Sequence, residues 1–147
     1  MIIERAAQDD VYYVALDMRE RDFEEFTAVN VADDRETLAA FLAERYGGRD
    51  DVLCASDDEG KPICIGGTIL TRPGVITLLF FATDAFPRIA LPLTKWIKRE
   101  LFPRYFAAGV HRIEAVSMMG YEHAHKWLGV LGLAPETGPM IGYGKRG

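Results

Sequence analysis

One uninterrupted apolar run constrains the fold of this chain more than any other feature. Residues Val75–Ala82 read VITLLFFA, in which only Thr77 is polar. A run of this length, rich in β-branched and aromatic residues and preceded by a Pro-Gly turn, is typical of a strand that is covered on both faces. It therefore predicts a central strand, with other elements packed on both sides of the sheet.

The segments on either side of this run complete a mixed α/β pattern. Further strands are predicted at Ile2–Arg5, Val52–Ser56, Ile63–Leu70, Arg112–Met118 and around Met140–Tyr143. Helices are predicted from about Asp9, from Asp33–Asp34 to Tyr46, over Ile89–Tyr105 and at about Tyr121–Leu131. A three-strand meander followed by a βαβ crossover indicates a mixed sheet with about four helices on its two faces. With 147 residues, we expect a single domain over residues 1–147.

Two segments near the first helices carry more specific predictions. The helix that opens at Asp33–Asp34 is expected to bury Leu38, Phe41 and Leu42. The string DFEEFTAVN (residues 22–30) is interpreted as a loop that its two phenylalanines anchor. Its acids are either solvated or positioned to attract a cationic amine; they are Asp22, Glu24 and Glu25.

The charge is unevenly distributed along the chain. The net charge is −5, and residues 1–51 carry −8 whereas residues 52–147 carry +3. This argues against a duplex-binding protein, which needs a broad basic face, and permits a local basic site for an anionic cofactor. The apolar runs are too short to span a bilayer, and the acidic start MIIERAAQDD resembles no signal or transit peptide. We therefore expect a cytoplasmic protein that binds neither nucleic acid nor membranes.

The two cysteines flank a turn-like string, SDDEGKP. If this string closes a hairpin, Cys54 and Cys64 lie opposite each other on neighbouring strands. A cross-strand disulfide is conceivable there, but it is usually strained and an intracellular chain is kept reduced. The better interpretation is two buried thiols that pack as small apolar side chains.

The order of elements resembles the GNAT superfamily of acyl-CoA N-acyltransferases, and local strings support this. The opening IIERAAQDDVYYVALDM resembles the family's first strand and helix, and AHKWLGVLGLAPE is similar to its last helix. A closer resemblance is to a GNAT-like group of internal virion or assembly proteins from short-tailed phages. The strings FATDAFPR, LPLTKWIKRELFP, GVHRIEAVS and HKWLGVLG carry that narrower resemblance.

The resemblance implies where an acyl-CoA would bind. In the GNAT fold the fourth strand splays from the fifth, here Phe80–Ala82 from Ile113–Ala115, and the pantetheine arm lies in the gap. The diphosphate rests on amides at the start of the long helix. Carried over to this sequence, the residues implied to bind acetyl-CoA are Phe81, Ala82, Thr83, Arg88, Ile89, Ala90 and Tyr121. No metal is implied.

The diphosphate loop departs from the family pattern Gln/Arg-x-x-Gly-x-Gly/Ala. Alignment on Leu93 puts Ala85, Arg88 and Ala90 at the three landmarks, and only Ala90 fits. Prolines at 87 and 92 also remove main-chain donors. The Arg88 guanidinium could compensate by binding a phosphate, or Arg88 is simply solvated.

Acetyl transfer to an amine needs a base, oxyanion donors and an acid near the leaving thiolate. Where the family often has a tyrosine as the acid, this chain has Leu128, and Tyr121 takes the place of a pantetheine-contacting asparagine. The catalytic candidates are therefore Glu114, as a base, and Tyr121. Two functions stay open: an acetyl-CoA-dependent N-acetyltransferase with an unknown amine acceptor, and a non-catalytic GNAT-like protein with an assembly or binding role.

The last part of the chain predicts one strand where the GNAT fold normally has a hairpin of the sixth and seventh strands. Either the seventh strand is absent or another chain provides that edge. Because an exposed sheet edge invites pairing, we expect a homodimer.

Overall fold

The architecture is that of a computed structural model, which describes residues 1–28, 32–118, 129–135 and 140–145. The strands are β1 (Ile2–Arg5), β2 (Val52–Ser56), β3 (Pro62–Arg72), β4 (Val75–Ala82), β5 (Arg112–Met118), β6 (Leu133–Pro135) and β7 (Met140–Lys145). The helices are α1 (Gln8–Leu16), α2 (Glu20–Ala28), α3 (Arg35–Tyr46), α4 (Ala90–Trp96) and α5 (Phe102–Ala107). The predicted bounds of β1, β2, β4 and β5 are thus confirmed residue by residue.

The chain divides into two compact units that share β3 and β4. The first unit comprises Met1–Gly67 and Leu79–Leu91, and the second comprises Thr68–Leu78 and Pro92–Gly147. In the first, the strand order is β1-β2-β3-β4, with β1, β2 and β3 antiparallel in turn. The prediction of a single domain over residues 1–147 stays a prediction.

Helices α1 and α3 pack against each other in the first unit. The Asp34 carboxylate caps α3 by accepting from the Thr37 N–H at 2.8 Å, as the predicted helix start requires. Leu38 and Leu42 are buried, but the prediction for Phe41 is wrong because its side chain is 43% exposed. Phe41 lies one residue off the stripe that faces α1, and a one-residue step turns a helix by about 100°.

Residues 22–28 of the segment interpreted as a loop belong instead to the helix α2, and residues 29 and 30 lie outside the described residues. Its phenylalanines do anchor it: the Phe26 ring meets the Phe81 ring edge-on at 5.8 Å, and the Arg35 guanidinium lies 4.8 Å from the Phe23 ring centre. Asp22, expected to be solvated or to face an amine, is buried. The loop prediction was wrong because this string forms a helix whose inner side, which includes Asp22 and Phe26, packs against the end of β4.

Both cysteines are free and buried, which confirms the two-thiol interpretation. They are not directly opposite, however: Cys54 pairs with Ile65 and Cys64 with Ala55. This one-residue offset puts the two side chains on opposite faces of the sheet. Burial raises the pKa of Cys54 to about 11 and that of Cys64 to about 12.

The packing around β3 explains why this strand has a glycine at position 67. A Cβ added there would lie 3.2 Å from the Leu79 Cβ and 3.4 Å from a Val52 methyl group. Gly67 therefore marks a close approach of neighbouring strands.

The second unit contains the parallel part of the sheet, with the strand order β3-β4-β5-β7-β6. The parallel ladder between β4 and β5 runs from Val75↔Arg112 to Thr77↔Glu114. Antiparallel ladders then join β5 to β7 and β7 to β6. The terminal hairpin is therefore present, and the prediction that a seventh strand is absent or supplied by another chain is wrong. The homodimer was expected because that strand was thought to be missing, so this expectation loses its basis.

The predicted long helix extends over residues 90–107 and contains one wider turn. Between α4 and α5, Ile97–Leu101 form a π-helical turn in which the Phe102 N–H donates to the Ile97 carbonyl. Pro103 follows directly and has no N–H to continue the ordinary ladder, which accounts for the irregular turn at this place. Within the described ranges, no helix has the length and apolar character needed to cross a membrane.

Candidate functional site

The connection between α1 and α2 bonds to the end of β4. The Arg19 N–H donates to the Ala82 carbonyl at 2.8 Å, and Met18 forms an isolated antiparallel bridge with Thr83. From the other edge, the Thr83 N–H donates to the Ile63 carbonyl of β3 at 2.9 Å. The α1–α2 connection thus occupies the position that a neighbouring strand would take beside Ala82.

Arg19 and Asp22 form a buried ion pair on this edge. The Arg19 Nε and Nη2 atoms donate to the two Asp22 carboxylate oxygens, each at 3.0 Å. Only 12% of the Arg19 side chain and 8% of the Asp22 side chain are exposed. The Ala82 N–H adds a third hydrogen bond to Asp22 Oδ2 at 2.9 Å. A buried charge is tolerated only when it is paired and hydrogen-bonded. Asp22 meets this requirement because both of its carboxylate oxygens accept hydrogen bonds.

Two aromatic rings surround the Arg19 guanidinium. Its central carbon lies 5.8 Å from the centre of the Phe80 ring and 5.3 Å from that of the Phe86 ring. These two rings meet each other edge-on, with their centres 5.3 Å apart. Phe81, the next residue on β4, has its side chain on the other face and is fully buried against Phe26. The end of β4 is therefore fixed by side chains on both faces.

The turn that follows β4 uses its own main-chain donors. The Phe86 N–H donates to the Thr83 carbonyl at 3.1 Å, and the Arg88 and Ile89 N–H groups donate to the Ala85 and Phe86 carbonyls at 3.0 Å. The Ala85 N–H donates to the Thr83 hydroxyl at 3.3 Å. The side chains of Thr83 and Ile89 are buried, whereas Arg88 is exposed.

Six of the residues implied to bind acetyl-CoA therefore lie together in the first unit, along one short stretch. They are Phe81, Ala82, Thr83, Arg88, Ile89 and Ala90, which begins α4. The N–H groups of Ala82, Thr83, Arg88 and Ile89 are already bonded within the unit. A diphosphate would consequently be met here by the exposed Arg88 side chain more than by main-chain amides.

Glu114, the candidate base, lies in the second unit. Its Oε1 atom accepts from Arg112 Nε at 2.6 Å and from Arg72 Nη2 at 2.8 Å. These hydrogen bonds, that of Arg112 first, hold the pKa of Glu114 below its ordinary value. A lower pKa stabilises the charged carboxylate and weakens it as a proton acceptor. The role of Glu114 as a base stays a prediction.

Tyr121, predicted as both a catalytic and a cofactor-binding residue, lies outside the described residues, as does Leu128. Their predicted roles are therefore unchanged. In the parts of the chain that the structure describes, no group of three or more His, Cys, Asp and Glu side chains is placed to hold a metal ion.

Arg19 was not predicted as a site residue, and Asp22 was expected to be solvated or to face an amine. The spacing of three residues between them is a signal for a helical ion pair, but such pairs are usually exposed. Burial depends on Ala82 and Phe86, which lie sixty or more positions later in the chain. That information is not contained in the local pattern.

Comparison with known proteins identifies the architecture. The chain matches no protein-family model and no curated protein sequence. Among solved structures, it is similar to a GNAT superfamily phosphinothricin acetyltransferase from Sinorhizobium meliloti in complex with acetyl-CoA (TM-score 0.64, 16% identity, 98% of this chain and 86% of that one). The GNAT domain of S. lividans PAT gives a TM-score of 0.68 at 16% identity, over 97% and 88% of the two chains.

A third similar structure is the PaiA N-acetyltransferase from Thermoplasma acidophilum in complex with coenzyme A. Its TM-score is 0.67 at 13% identity, and the match covers 99% of this chain and 98% of that one. At such identities a structural match reports on the fold. The chain thus has the α/β fold of the GNAT acetyltransferases, with a mixed sheet and a parallel β4–β5 pair, as its sequence predicted.

Proposed function

We propose that this protein is an acetyl-CoA-dependent N-acetyltransferase that acts on an amine. The observation that carries the proposal is the main chain at the end of β4. The Ala82 N–H and carbonyl are bonded to Asp22 and Arg19, and the turn that follows presents the exposed Arg88 side chain. The resemblance places the acyl-CoA of GNAT proteins along this strand end and turn.

The similar structures support the cofactor class. The S. meliloti protein is in complex with acetyl-CoA and the T. acidophilum protein with coenzyme A. In the proposed reaction, an amine attacks the thioester carbonyl carbon and the carbon–sulfur bond breaks. The proton that the amine loses ends on the coenzyme A thiolate.

The residues of this chain would contribute mainly by positioning. The cofactor stretch would be formed by Phe81, Ala82, Thr83, Ile89 and Ala90. Holding the thioester in one position there would itself supply a large part of the rate acceleration. We assign the diphosphate to the exposed Arg88 side chain. Glu114 and Tyr121 are proposed as proton-transfer groups.

A thermal-shift titration with acetyl-CoA tests cofactor binding. At a hundredfold excess over the dissociation constant, binding to the native state should stabilise it by about 2.7 kcal/mol. Arg88→Ala should reduce the shift because it removes the positive charge at the start of the helix. Lys61→Ala is the matched control, since Lys61 is an exposed cation on the β2–β3 turn of the same unit. No shift at millimolar acetyl-CoA would refute the proposal, and an equal loss in both variants would refute the role of Arg88.

A second function is favoured by two specific observations. The main-chain donors near the end of β4 are bonded internally, and Glu114 is bonded to two arginines. Both fit a non-catalytic GNAT-like protein with a binding or assembly role, including the phage group that the sequence resembles. None of the three structures named above is described as a phage protein, so that narrower resemblance stays a proposal. A thiol-release assay with a panel of primary amines separates the two functions, because only an enzyme releases coenzyme A faster with an amine present.

A further inference from the structure

The ion pair of Arg19 and Asp22 makes more contacts with the proposed cofactor stretch than any other polar pair described in the first unit. Asp22 accepts from the Ala82 N–H, and the Arg19 N–H donates to the Ala82 carbonyl. Both main-chain groups of one cofactor-stretch residue are thus bonded to this pair.

The pair also sets the aromatic side chains at both ends of the turn. The Arg19 guanidinium lies against Phe80, which precedes Ala82, and against Phe86, which belongs to the turn before Arg88. Phe86 donates its N–H to Thr83 and accepts from Ile89. A displacement of Arg19 would therefore move the residues on both sides of Thr83.

Two other acid–arginine pairs described in this unit lack such contacts, and in a third, Arg35 with Glu20, the arginine donates to the Leu16 and Met18 carbonyls and not to the cofactor stretch. Arg5 with Asp50 and Arg49 with Asp51 bond only to each other through their side chains, and their side chains are considerably more exposed. Ion pairs of that kind contribute little to a fold. The burial of Arg19 and Asp22 is unusual for charged side chains, and their geometry connects them to β4.

We propose that Arg19 and Asp22 are positioning residues of the acyl-CoA site, which hold the end of β4 and the following turn in the conformation that receives the cofactor. This inference rests on the proposed function. Neither residue needs to touch the cofactor, because each acts through Ala82, Phe80 and Phe86.

Two double variants separate positioning from charge. Arg19→Met/Asp22→Leu removes the charges and the acceptor for Ala82 but keeps similar side-chain volumes, a replacement that buried ion pairs often tolerate. Arg19→Gln/Asp22→Asn also removes both charges but keeps a side-chain oxygen that can accept from the Ala82 N–H. Arg5→Gln/Asp50→Asn is the control, since it removes an exposed pair of the same unit.

The first readout is hydrogen exchange at the Ala82 amide, which does not depend on acetyl-CoA. In the Met/Leu variant we expect exchange to accelerate by about a hundredfold through local opening, with the Gln/Asn variant and the control close to the wild type. Unchanged exchange in the Met/Leu variant would overturn the inference. If that variant does not unfold cooperatively, Arg19→Gln/Asp22→Leu carries the same readout, because it differs from the Gln/Asn variant only in lacking the acceptor for the Ala82 N–H.

The second readout is the dissociation constant of acetyl-CoA, measured well below the melting temperature of every variant so that only folded protein is compared. We expect the Met/Leu variant to bind at least about tenfold more weakly and the Gln/Asn variant to recover most of the affinity. Equal affinities in all variants, or no recovery in the Gln/Asn variant, would overturn the positioning role. Absence of binding by the wild type would instead refute the proposed function, and the exchange readout would then decide on its own whether the pair holds β4.

Discussion

Asp22 in the first unit and Glu114 in the second are both bonded to arginine, but they differ in how much water reaches them. The Asp22 side chain is 8% exposed and that of Glu114 is 23% exposed. Asp22 has one arginine partner and a main-chain donor on β4, whereas Glu114 shares one oxygen between two arginines at the surface. We therefore expect burial and a link to the main chain, more than the number of partners, to decide what each ion pair contributes to stability.

The largest loss of stability should come from replacing Asp22 by alanine. Asp22→Ala leaves Arg19 buried without a partner and the Ala82 N–H without an acceptor. We expect it to lower the free energy of unfolding by about 3–5 kcal/mol, the usual cost of breaking a buried pair from one side. Urea denaturation measures this directly. A loss below about 1 kcal/mol would show that the pair behaves like a surface pair.

Replacing Phe86, one of the two rings next to Arg19, should have an intermediate effect on stability. Phe86→Leu removes a cation–π contact as well as an aromatic one, so we expect a loss of about 1–2 kcal/mol. Phe26→Leu is the matched control, because it removes the edge-on contact with Phe81. If the two variants are equally destabilised, the guanidinium adds nothing to the packing of Phe86.

The smallest effect should come from Glu114→Gln. We expect a loss of no more than about 1 kcal/mol at neutral pH, because the pair is partly solvated. The Arg112 and Arg72 hydrogen bonds lower the pKa of Glu114 in the folded protein. Its contribution is therefore present above the ordinary glutamate pKa of about 4.3 and is lost as the pH falls through the lower folded value.

Urea denaturation of the wild type and Glu114→Gln between pH 3 and pH 7 tests this sign. The difference between them should be constant near neutrality and should shrink at the acidic end. A difference that grows as the pH falls would contradict the assigned direction of the pKa.

Most of the fold could be predicted because local sequence patterns indicate its strands. The apolar run of β4 and the turns at SDDEGKP and Arg72–Gly74 define the meander, and Asp34 marks the start of α3. The elements that were not predicted depend on contacts between residues that are far apart in the sequence. The helix α2 is stabilised by Phe81 and Ala82, and β6 has three residues and pairs with β7 alone among the described strands.

The candidate site was only partly predictable for the same reason. The stretch from Phe81 to Ala90 could be identified by resemblance, and its residues do lie together. Its support by Arg19 and Asp22 could not be predicted, since a pair three residues apart says nothing about a strand sixty positions later. The offset between Cys54 and Cys64 was missed because the pairing register shifts between Ala55 and Ser56, which no local pattern marks.

Chemical-shift mapping of the amide resonances during a titration with acetyl-CoA tests the central claim most directly. We predict saturable changes that centre on Phe81, Ala82, Thr83 and Arg88–Ala90, and that weaken in Arg88→Ala but not in Lys61→Ala. Spectra that do not change at millimolar acetyl-CoA, or changes that avoid this stretch, would contradict the account.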